Sequence, residues 1–337
     1  MNYKISISII IPVFNVEKYL EKCLNSIIIQ NIDKITIEII IIDDGSTDSS
    51  LYICKKYQKK YSFINIIIQE NQGQGIARNT GILASNGKYI VFVDPDDWIE
   101  QGYLENLFLI MENSNADFCN FGIDFIDKYG HVKKSFNKFN IKELVGDSIF
   151  TFSLIDKYIL SSPCNKIYLK SFIINNNIFF PKIRAYEDIF FTRFLASKAS
   201  RCIFINKVFY HALIRNDSTS RNINGSNIQS ALDILNLQES IFITVNTNEI
   251  VRKYFYAHYI KFLSSLIISI SFRINEFNLY LSFYNKLCNN DYRYLSLKFD
   301  ILKLLPLKNI FIIVLSFHPR FLRLNVKFLK FFNINPY

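Results

Sequence analysis

Gly87-Lys88-Tyr89-Ile90-Val91-Phe92-Val93-Asp94-Pro95-Asp96-Asp97 runs from an apolar, β-branched and aromatic segment straight into a block of carboxylates. The apolar part reads as a buried strand. The acidic part follows its carboxyl end. Continued into the acidic block, the strand period of two puts Asp94 and Asp96 on the same side, where paired carboxylates suit a hard, oxygen-loving cation. A turn and helix cap is the alternative use of the same residues, because Asp favours both.

Working outward, the same arrangement recurs upstream. Ile5 to Val13 is a β-branched run followed by a helical pattern of Tyr19, Leu20, Cys23, Leu24, Ile27 and Ile28. Ile37 to Ile42 leads into Asp43-Asp44-Gly45-Ser46-Thr47-Asp48 and a second helix carrying Leu51, Cys54, Tyr57 and Tyr61 on one face. Ile64 to Ile68 gives a third strand and Ile76 to Asn86 a third helix. Strands alternating with helices predict an α/β fold, a Rossmann-like and mostly parallel sheet flanked by helices. Ligands of such sheets sit beyond the carboxyl ends of the strands, and that is where the polar clusters fall.

Two of these clusters suggest nucleotide chemistry on their own. In the loop after the second strand, Asp48 and Ser46 read as helix caps. Asp44 reads as an acceptor for a base N–H, such as the imide of uracil. Asn71-Gln72-Gly73-Gln74-Gly75-Ile76-Ala77-Arg78-Asn79 places glycines and an arginine at a helix N-terminus. Gly75 would allow close backbone approach there, and the helix dipole with Arg78 would favour phosphate.

Residues 100 to 225 are mixed, with a helical pattern over Tyr103 to Glu112, a strand-like run over Phe118 to Phe125 and loops around Pro163 and Pro181. After the stretch rich in Asn, Ser and Gly from 216 to 227 the chain turns helical. The expected organisation is a domain over 1–225, with a nucleotide-binding half over 1–110 and an acceptor half over 111–225, then a helical C-terminal region over 226–337.

The formal charge of +10 leaves nucleic acid, anionic membrane and acidic substrate open, and its distribution chooses among them. From 301 to 337 six Lys and Arg and no Asp or Glu alternate with phenylalanines. That is the pattern of an anionic membrane surface, and no nucleic acid partner is expected. A helix packing its Phe and Leu on the catalytic domain explains the segment equally well. The six cysteines stand at wide, irregular spacings, which fits reduced thiols. No signal peptide and no spanning segment is expected. The location implied is cytoplasmic, with peripheral attachment to the inner face of the cell membrane as an option.

Taken in order, Ile10-Ile11-Pro12-Val13-Phe14-Asn15-Val16-Glu17-Lys18-Tyr19-Leu20, Ile42 to Asp48, Asn71 to Asn79 and Gly87 to Asp97 resemble the family 2 glycosyltransferases of the GT-A fold, over at least residues 5 to 110. The resemblance implies an inverting transfer from a nucleotide-diphosphate sugar, a UDP-sugar first of all, to a hydroxyl of a glycan or lipid-linked acceptor in surface polysaccharide synthesis. It also implies Mn2+ or Mg2+ as cofactor. Pro12, Phe14, Asn15, Glu17 and Asp44 would line the nucleoside pocket, and Asn71 and Arg78 would hold uridine or diphosphate. The Asp94-Pro95-Asp96 segment would meet ribose and metal, with Asp96 the first choice of ligand.

Downstream, Arg184-Ala185-Tyr186-Glu187-Asp188 is similar to the family's acidic motif at a helix start. Asp188 would be the catalytic base and Glu187 would orient base or acceptor; an acidic first turn paired with Arg184 is the structural alternative. Asn165 and Lys166 of Ser162-Pro163-Cys164-Asn165-Lys166-Ile167-Tyr168 would be acceptor-side or architectural. Arg215 would close over the diphosphate, and His211 would either complete the metal shell or pack in the core. The aromatic usual before the Asn-Lys pair is replaced by Pro163-Cys164, and the Q-x-x-R-W segment of processive synthases is missing, which suggests single additions.

Two other readings compete. A sugar nucleotidylyltransferase would need a Gly-rich loop after the first strand, where Ile11 to Asn15 offers no Gly. A non-catalytic, membrane-associated scaffold with a degenerate transferase fold would be favoured by loss of Asp96 or Asp188, and both are present.

Overall fold

The computed structural model describes residues 4–30, 35–155, 158–215, 225–244 and 249–273. The first strand, β1 (Ile5–Val13), is covered on both faces, with Ile7, Ile9, Ile10, Ile11 and Val13 buried. α1 (Glu17–Ile28) buries Leu20, Cys23, Leu24 and Ile27 along one stripe. β2 (Ile37–Asp43), α2 (Ser50–Lys60), β3 (Ile64–Ile68), α3 (Gln74–Ala84) and β4 (Gly87–Phe92) complete the first half. Its strands lie in the order β3-β2-β1-β4, all parallel. Continuous β-branched runs suit strands covered on both faces.

The second half adds β5 (Trp98–Ile99), α4 (Tyr103–Glu112), β6 (Phe118–Ile126), β7 (Val132–Phe136) and β8 (Glu143–Val145). It continues with α5 (Asp147–Ser153), β9 (Lys166–Leu169), α6 (Lys170–Asn175), α7 (Glu187–Lys198) and β10 (Arg201–Leu213). These strands extend the same sheet. β9 runs antiparallel to both β4 and β6, while β10 is parallel to β6. The sheet is therefore mixed rather than mostly parallel. Two antiparallel steps restore the direction, so the carboxyl ends of β1, β2, β4, β6 and β10 share one edge.

An aromatic cluster seats α7 against that sheet. Phe180 and Phe191 stack with centroids 3.9 Å apart, and Phe92 meets both rings edge-on. Aromatic pairs of this kind add about 0.5–1.5 kcal/mol beyond their burial. They fix the first turn of α7 over the end of β4.

The compact units are residues 1–218 and 219–337. In the second, α8 (Gly225–Thr244) and α9 (Glu249–Arg273) pack through Phe242 on Phe255, with centroids 4.1 Å apart, and the Tyr259 hydroxyl donates to Glu239. The basic-aromatic segment 301–337 lies outside the described residues. Among those residues, Cys23, Cys54, Cys119, Cys164 and Cys202 are buried and unpaired, and no helix is long and apolar enough to cross a membrane.

Candidate active site

The loops after β1 and β2 hold each other. Asn15 adopts a φ of 49°, a region Asn tolerates better than most residues. Its Oδ1 accepts the Thr47 N–H at 2.8 Å and the Asp48 N–H at 3.3 Å. Asp48 in turn accepts the N–H of Glu17 at 3.1 Å and of Ser50 at 2.9 Å, capping α1 and α2 together. Glu17 returns the favour, its Oε2 accepting the Ser49 N–H at 2.9 Å. Asn15 and Glu17, expected in the nucleoside pocket, thus spend their carbonyl and carboxylate oxygens on this loop pair. Pro12 is buried inside β1 and presents no lining surface, whereas Phe14 is 45% exposed at the rim.

Asp44 ties down the next loop. Its Oδ1 accepts Gln69 Nε2 at 2.7 Å and the Gln72 N–H at 2.9 Å, while Oδ2 accepts the Gly73 N–H at 2.9 Å. A carboxylate offers about four acceptor sites, so at most one remains for a base N–H. Asn71 is exposed on the loop that Asp44 anchors. Gly75 is required for packing: a Cβ there would come within 2.8 Å of Glu187 Cγ and 3.1 Å of Phe180 Cβ. Its smallness lets α3 approach α7, a reason other than the phosphate contact expected of it.

Arg78 is the centre of this approach. Only 2% exposed, it donates through one nitrogen to Asp94 Oδ1 at 2.8 Å and through the other to Glu187 Oε1 at 3.2 Å. The guanidinium also lies 5.2 Å from the Phe180 ring centroid, and Gln74 Nε2 adds a 2.9 Å bond to Asp94. Arg78 therefore positions two carboxylates instead of presenting itself to a diphosphate. Arg78, and not Arg184, is the cation that meets Glu187. Sequence reasoning missed the partnership because the residues are 109 positions apart, with no local pattern to join them.

At the start of α7, Tyr186 holds a φ of 67°, a costly conformation for a residue with a side chain. It aims Glu187 inward. Burial pushes the Glu187 carboxyl up to about 7, with the Asp188 charge adding to the rise and Arg78 opposing it. Asp188 stays partly exposed, and its Oδ1 accepts the Ile189 N–H at 2.9 Å. Its carboxyl is also raised, by desolvation first, against the pull of Arg78.

The acidic block after β4 is a turn, not a continued strand. β4 stops at Phe92, and the Asp97 N–H closes the turn on the Asp94 carbonyl at 3.0 Å. Asp94 faces Arg78, while Asp96 pairs with Arg215 Nε at 2.7 Å, so the two do not share one partner as the strand period suggested. Arg215 also sits 5.2 Å from the Tyr19 ring centroid. Asp97, unassigned from the sequence, is buried and accepts the Tyr210 hydroxyl at 2.7 Å and the Leu213 N–H at 2.8 Å. Desolvation and the neighbouring acids hold its carboxyl well above the usual range.

His211 does not join Asp96. Its Nε2 lies 2.5 Å from Glu100 Oε1, and its ring stacks on Trp98 with centroids 5.3 Å apart. Strand alternation points it away from Tyr210, whose hydroxyl serves the acidic turn. Among the described residues, no group of three or more His, Cys, Asp or Glu is arranged to hold a metal ion. Asn165 and Lys166 are both 0% exposed. Lys166 Nζ donates to the carbonyls of Leu160 and Ser162 and to Asn165 Oδ1, which brace the loop before β9 from inside and present nothing to an acceptor. Desolvation lowers the Lys166 ammonium to about 7.

A parallel half-sheet continued by a mixed half, with an acidic turn at its carboxyl edge facing a second acidic pair, defines a glycosyltransferase of GT-A type. The chain belongs to the family 2 glycosyltransferases: the family model described as Glycosyl transferase family 2 matches residues 8–175. It is 31% identical over 256 residues to the putative glycosyltransferase EpsH of Bacillus subtilis, covering 74% of this chain and 72% of that one. It is 30% identical over 299 residues to the cholesterol galactosyltransferase of Borreliella burgdorferi, covering 85% and 82%. With the glycosyltransferase GlyA of Streptococcus pneumoniae it shares 36% over 227 residues, 64% of this chain but 31% of that longer protein. In fold it is similar to residues 1–349 of TarS from Staphylococcus aureus in complex with UDP-GlcNAc, with a TM-score of 0.72 at 21% identity over 99% of this chain and 93% of that one.

Proposed function

We propose that this chain moves a sugar from a nucleotide diphosphate, a UDP-sugar first of all, to a hydroxyl of a glycan or lipid-linked acceptor, with inversion at the anomeric carbon. The observation that carries the reading is the Arg78 bridge. One buried guanidinium sets the donor-side acidic turn, through Asp94 at 2.8 Å, beside the acidic start of α7, through Glu187 at 3.2 Å. Donor and acceptor chemistry need that proximity.

In this reading the acceptor oxygen forms the new bond to the anomeric carbon as the bond to the diphosphate breaks on the opposite face. The proton lost by the hydroxyl passes to Asp188, whose carboxyl is raised above its usual range by burial, which makes it a stronger base than a solvated carboxylate. Glu187 holds Asp188 and Arg78 in register. Asp96 is the carboxylate we assign to Mn2+ or Mg2+: Asp94, although its side chain is 25% exposed, is committed to Arg78 and Gln74 inside the fold, whereas Asp96, 15% exposed, pairs with Arg215, a residue that would itself face the diphosphate. When bound, the ion would neutralise charge on the departing diphosphate. Arg215, already beside Asp96, would meet the same phosphates.

Surface polysaccharide synthesis is the setting we assign. Its support is the company the chain keeps: a poly(ribitol-phosphate) beta-glucosyltransferase of Bacillus spizizenii is 34% identical over 216 residues, 63% of this chain and 32% of that protein. Attachment to the inner face of the membrane through 301–337 is supported by its basic and aromatic composition, and flotation of the chain truncated after Asp300 alongside the full chain tests it. For the donor, titration calorimetry with UDP, GDP and dTDP, with and without Mn2+, tests the reading. UDP binding strengthened by Mn2+ in wild type and not in Asp96→Ala supports it; absence of nucleotide binding under every condition overturns it in favour of a scaffold.

A further inference from the structure

β6 is a core strand, but β7 and the turn that joins the two contribute little to the core, and the tip of this β6–β7 hairpin is held in a fixed shape. Asp127 organises its turn, with Oδ1 accepting the N–H groups of Tyr129 and His131, both at 2.9 Å, and Oδ2 pairing with Lys133 at 3.0 Å. Register then runs Ile126 opposite Val132 and Phe125 opposite Lys134. Every residue from Lys128 to Ser135 is exposed, including Tyr129 at 73%.

Its surface is basic and aromatic. From 128 to 142 the chain carries five lysines and no Asp or Glu. Lys128 Nζ lies 4.9 Å from the Tyr129 ring centroid, Tyr129 packs against His131 at 6.4 Å, and Lys134 lies 4.6 Å from the Phe136 ring centroid. Lysines on an outer strand guard against edge-to-edge pairing, which explains Lys133 and Lys134. That purpose does not explain a tyrosine displayed at the tip with a lysine over its face.

The hairpin also springs from a particular place. Ile126, at the end of β6, is in register with Leu213 of β10, and the Leu213 N–H is bonded to Asp97 of the acidic turn. The tip therefore rises from the same sheet edge as the candidate site, on the acceptor half. Tyr faces stack on sugar rings, and lysines meet phosphate as point charges.

We propose that the β6–β7 hairpin is a docking surface for an anionic, phosphate-bearing acceptor glycan, gripping repeat units beyond the one that reacts. The proposal rests on the glycosyl-transfer reading above and names its acceptor class. Binding energy gathered at such a remote point is available to orient the reacting hydroxyl. Charge complementarity selects a polyanion. The tip's exposed apolar side chains, Tyr129 and Val132, give too small an anchor for a bilayer to be the better partner.

The test uses the full chain, the triple variant Lys128→Ser/Lys134→Ser/Lys138→Ser and the single variant Tyr129→Ser. Lys133 is kept because it pairs with Asp127. Anisotropy is read with labelled medium-chain inorganic polyphosphate, with neutral dextran as control, and flotation with phosphatidylglycerol vesicles. The triple variant is expected to bind polyphosphate at least tenfold more weakly than wild type, with a log–log salt slope flatter by about 2, the loss of three phosphate contacts at about 0.7 each on a flexible chain. UDP affinity stays unchanged, and thermal melting confirms folding.

Equal polyphosphate affinity and salt slope in wild type and variant would overturn the proposal. So would vesicle binding lost in the variant while polyphosphate binding persists, which would make the hairpin a membrane surface. Failure of wild type to bind UDP is read separately and strikes the transferase reading instead.

Discussion

Arg78 and Glu187 stand 109 residues apart in the chain and 3.2 Å apart in the structure. The contact joins α3, which follows the loop held by Asp44, to α7, which carries the acidic pair of the second half. Because Arg78 is 2% exposed and also holds Asp94, it has little freedom to leave one partner for the other. A buried cation between two carboxylates is a positioning device, and its removal leaves charge without compensation.

Arg78→Met should therefore destabilise the fold by about 3–5 kcal/mol, the usual cost of breaking a buried pair by removing one partner. Urea unfolding measures it. Arg78→Lys should recover part of the stability but not the two-pronged geometry, because an ammonium cannot place two donors on separate carboxylates in one plane. A loss below about 1 kcal/mol in Arg78→Met would show that the bridge does not organise the site.

Gly75→Ala tests the approach of the two helices directly. The added Cβ would sit 2.8 Å from Glu187 Cγ, so α3 or Glu187 must shift, at a cost of about 1–3 kcal/mol. Gly73→Ala carries a different penalty: open space surrounds it, but its φ of 93° is strained for any side chain. Both variants should unfold at lower urea, and only Gly75→Ala should also displace Glu187 and depress turnover. Crystallography or the pH profile of the variant would reveal the displacement.

Glu187 makes stability depend on pH with a definite sign. Its carboxyl titrates near 4.5 when unfolded and about 7 in the fold, so between those values the folded chain holds the extra proton. Stability should fall as pH rises through that window, by on the order of 2–3 kcal/mol, and level off above about 7. Glu187→Gln should reduce this slope, leaving the contribution of the Asp97 and Asp188 carboxyls, which are raised in the same direction. Turnover should run the other way in wild type, rising with pH as the Glu187 and Asp188 pair ionises. Superimposable stability profiles for wild type and Glu187→Gln would contradict the assignment.

Much of the first half was legible because its signals are local. The isoleucine runs of β1, β2 and β3 and the stripes of α1 and α2 announce themselves over short windows, and the acidic turn follows β4 in sequence. In the second half α4 and β6 were legible in the same way, and the remaining strands were not. β9 is four residues long, β7 is lysine-rich and exposed, and β10 is interrupted at Asn206-Lys207 where its register with β6 shifts. Their pairing is set by partners far away in the chain. The same limit governs the site: Asp44, Asn15 and Glu17 were recognisable as special residues. Their bonds to neighbouring loops, and the burial of Lys166 and Arg78, depend on tertiary contacts that no local pattern carries.

Asp188 as base is the claim on which the proposed chemistry turns, and Asp188→Asn measures it most directly. UDP release from a panel of UDP-sugars is followed with Mn2+ and an acceptor glycan, beside UDP binding by calorimetry. We expect UDP affinity to hold while turnover falls by about 10²–10⁴, the usual worth of a positioned general base. Turnover equal to wild type in a folded, UDP-binding Asp188→Asn would contradict the account.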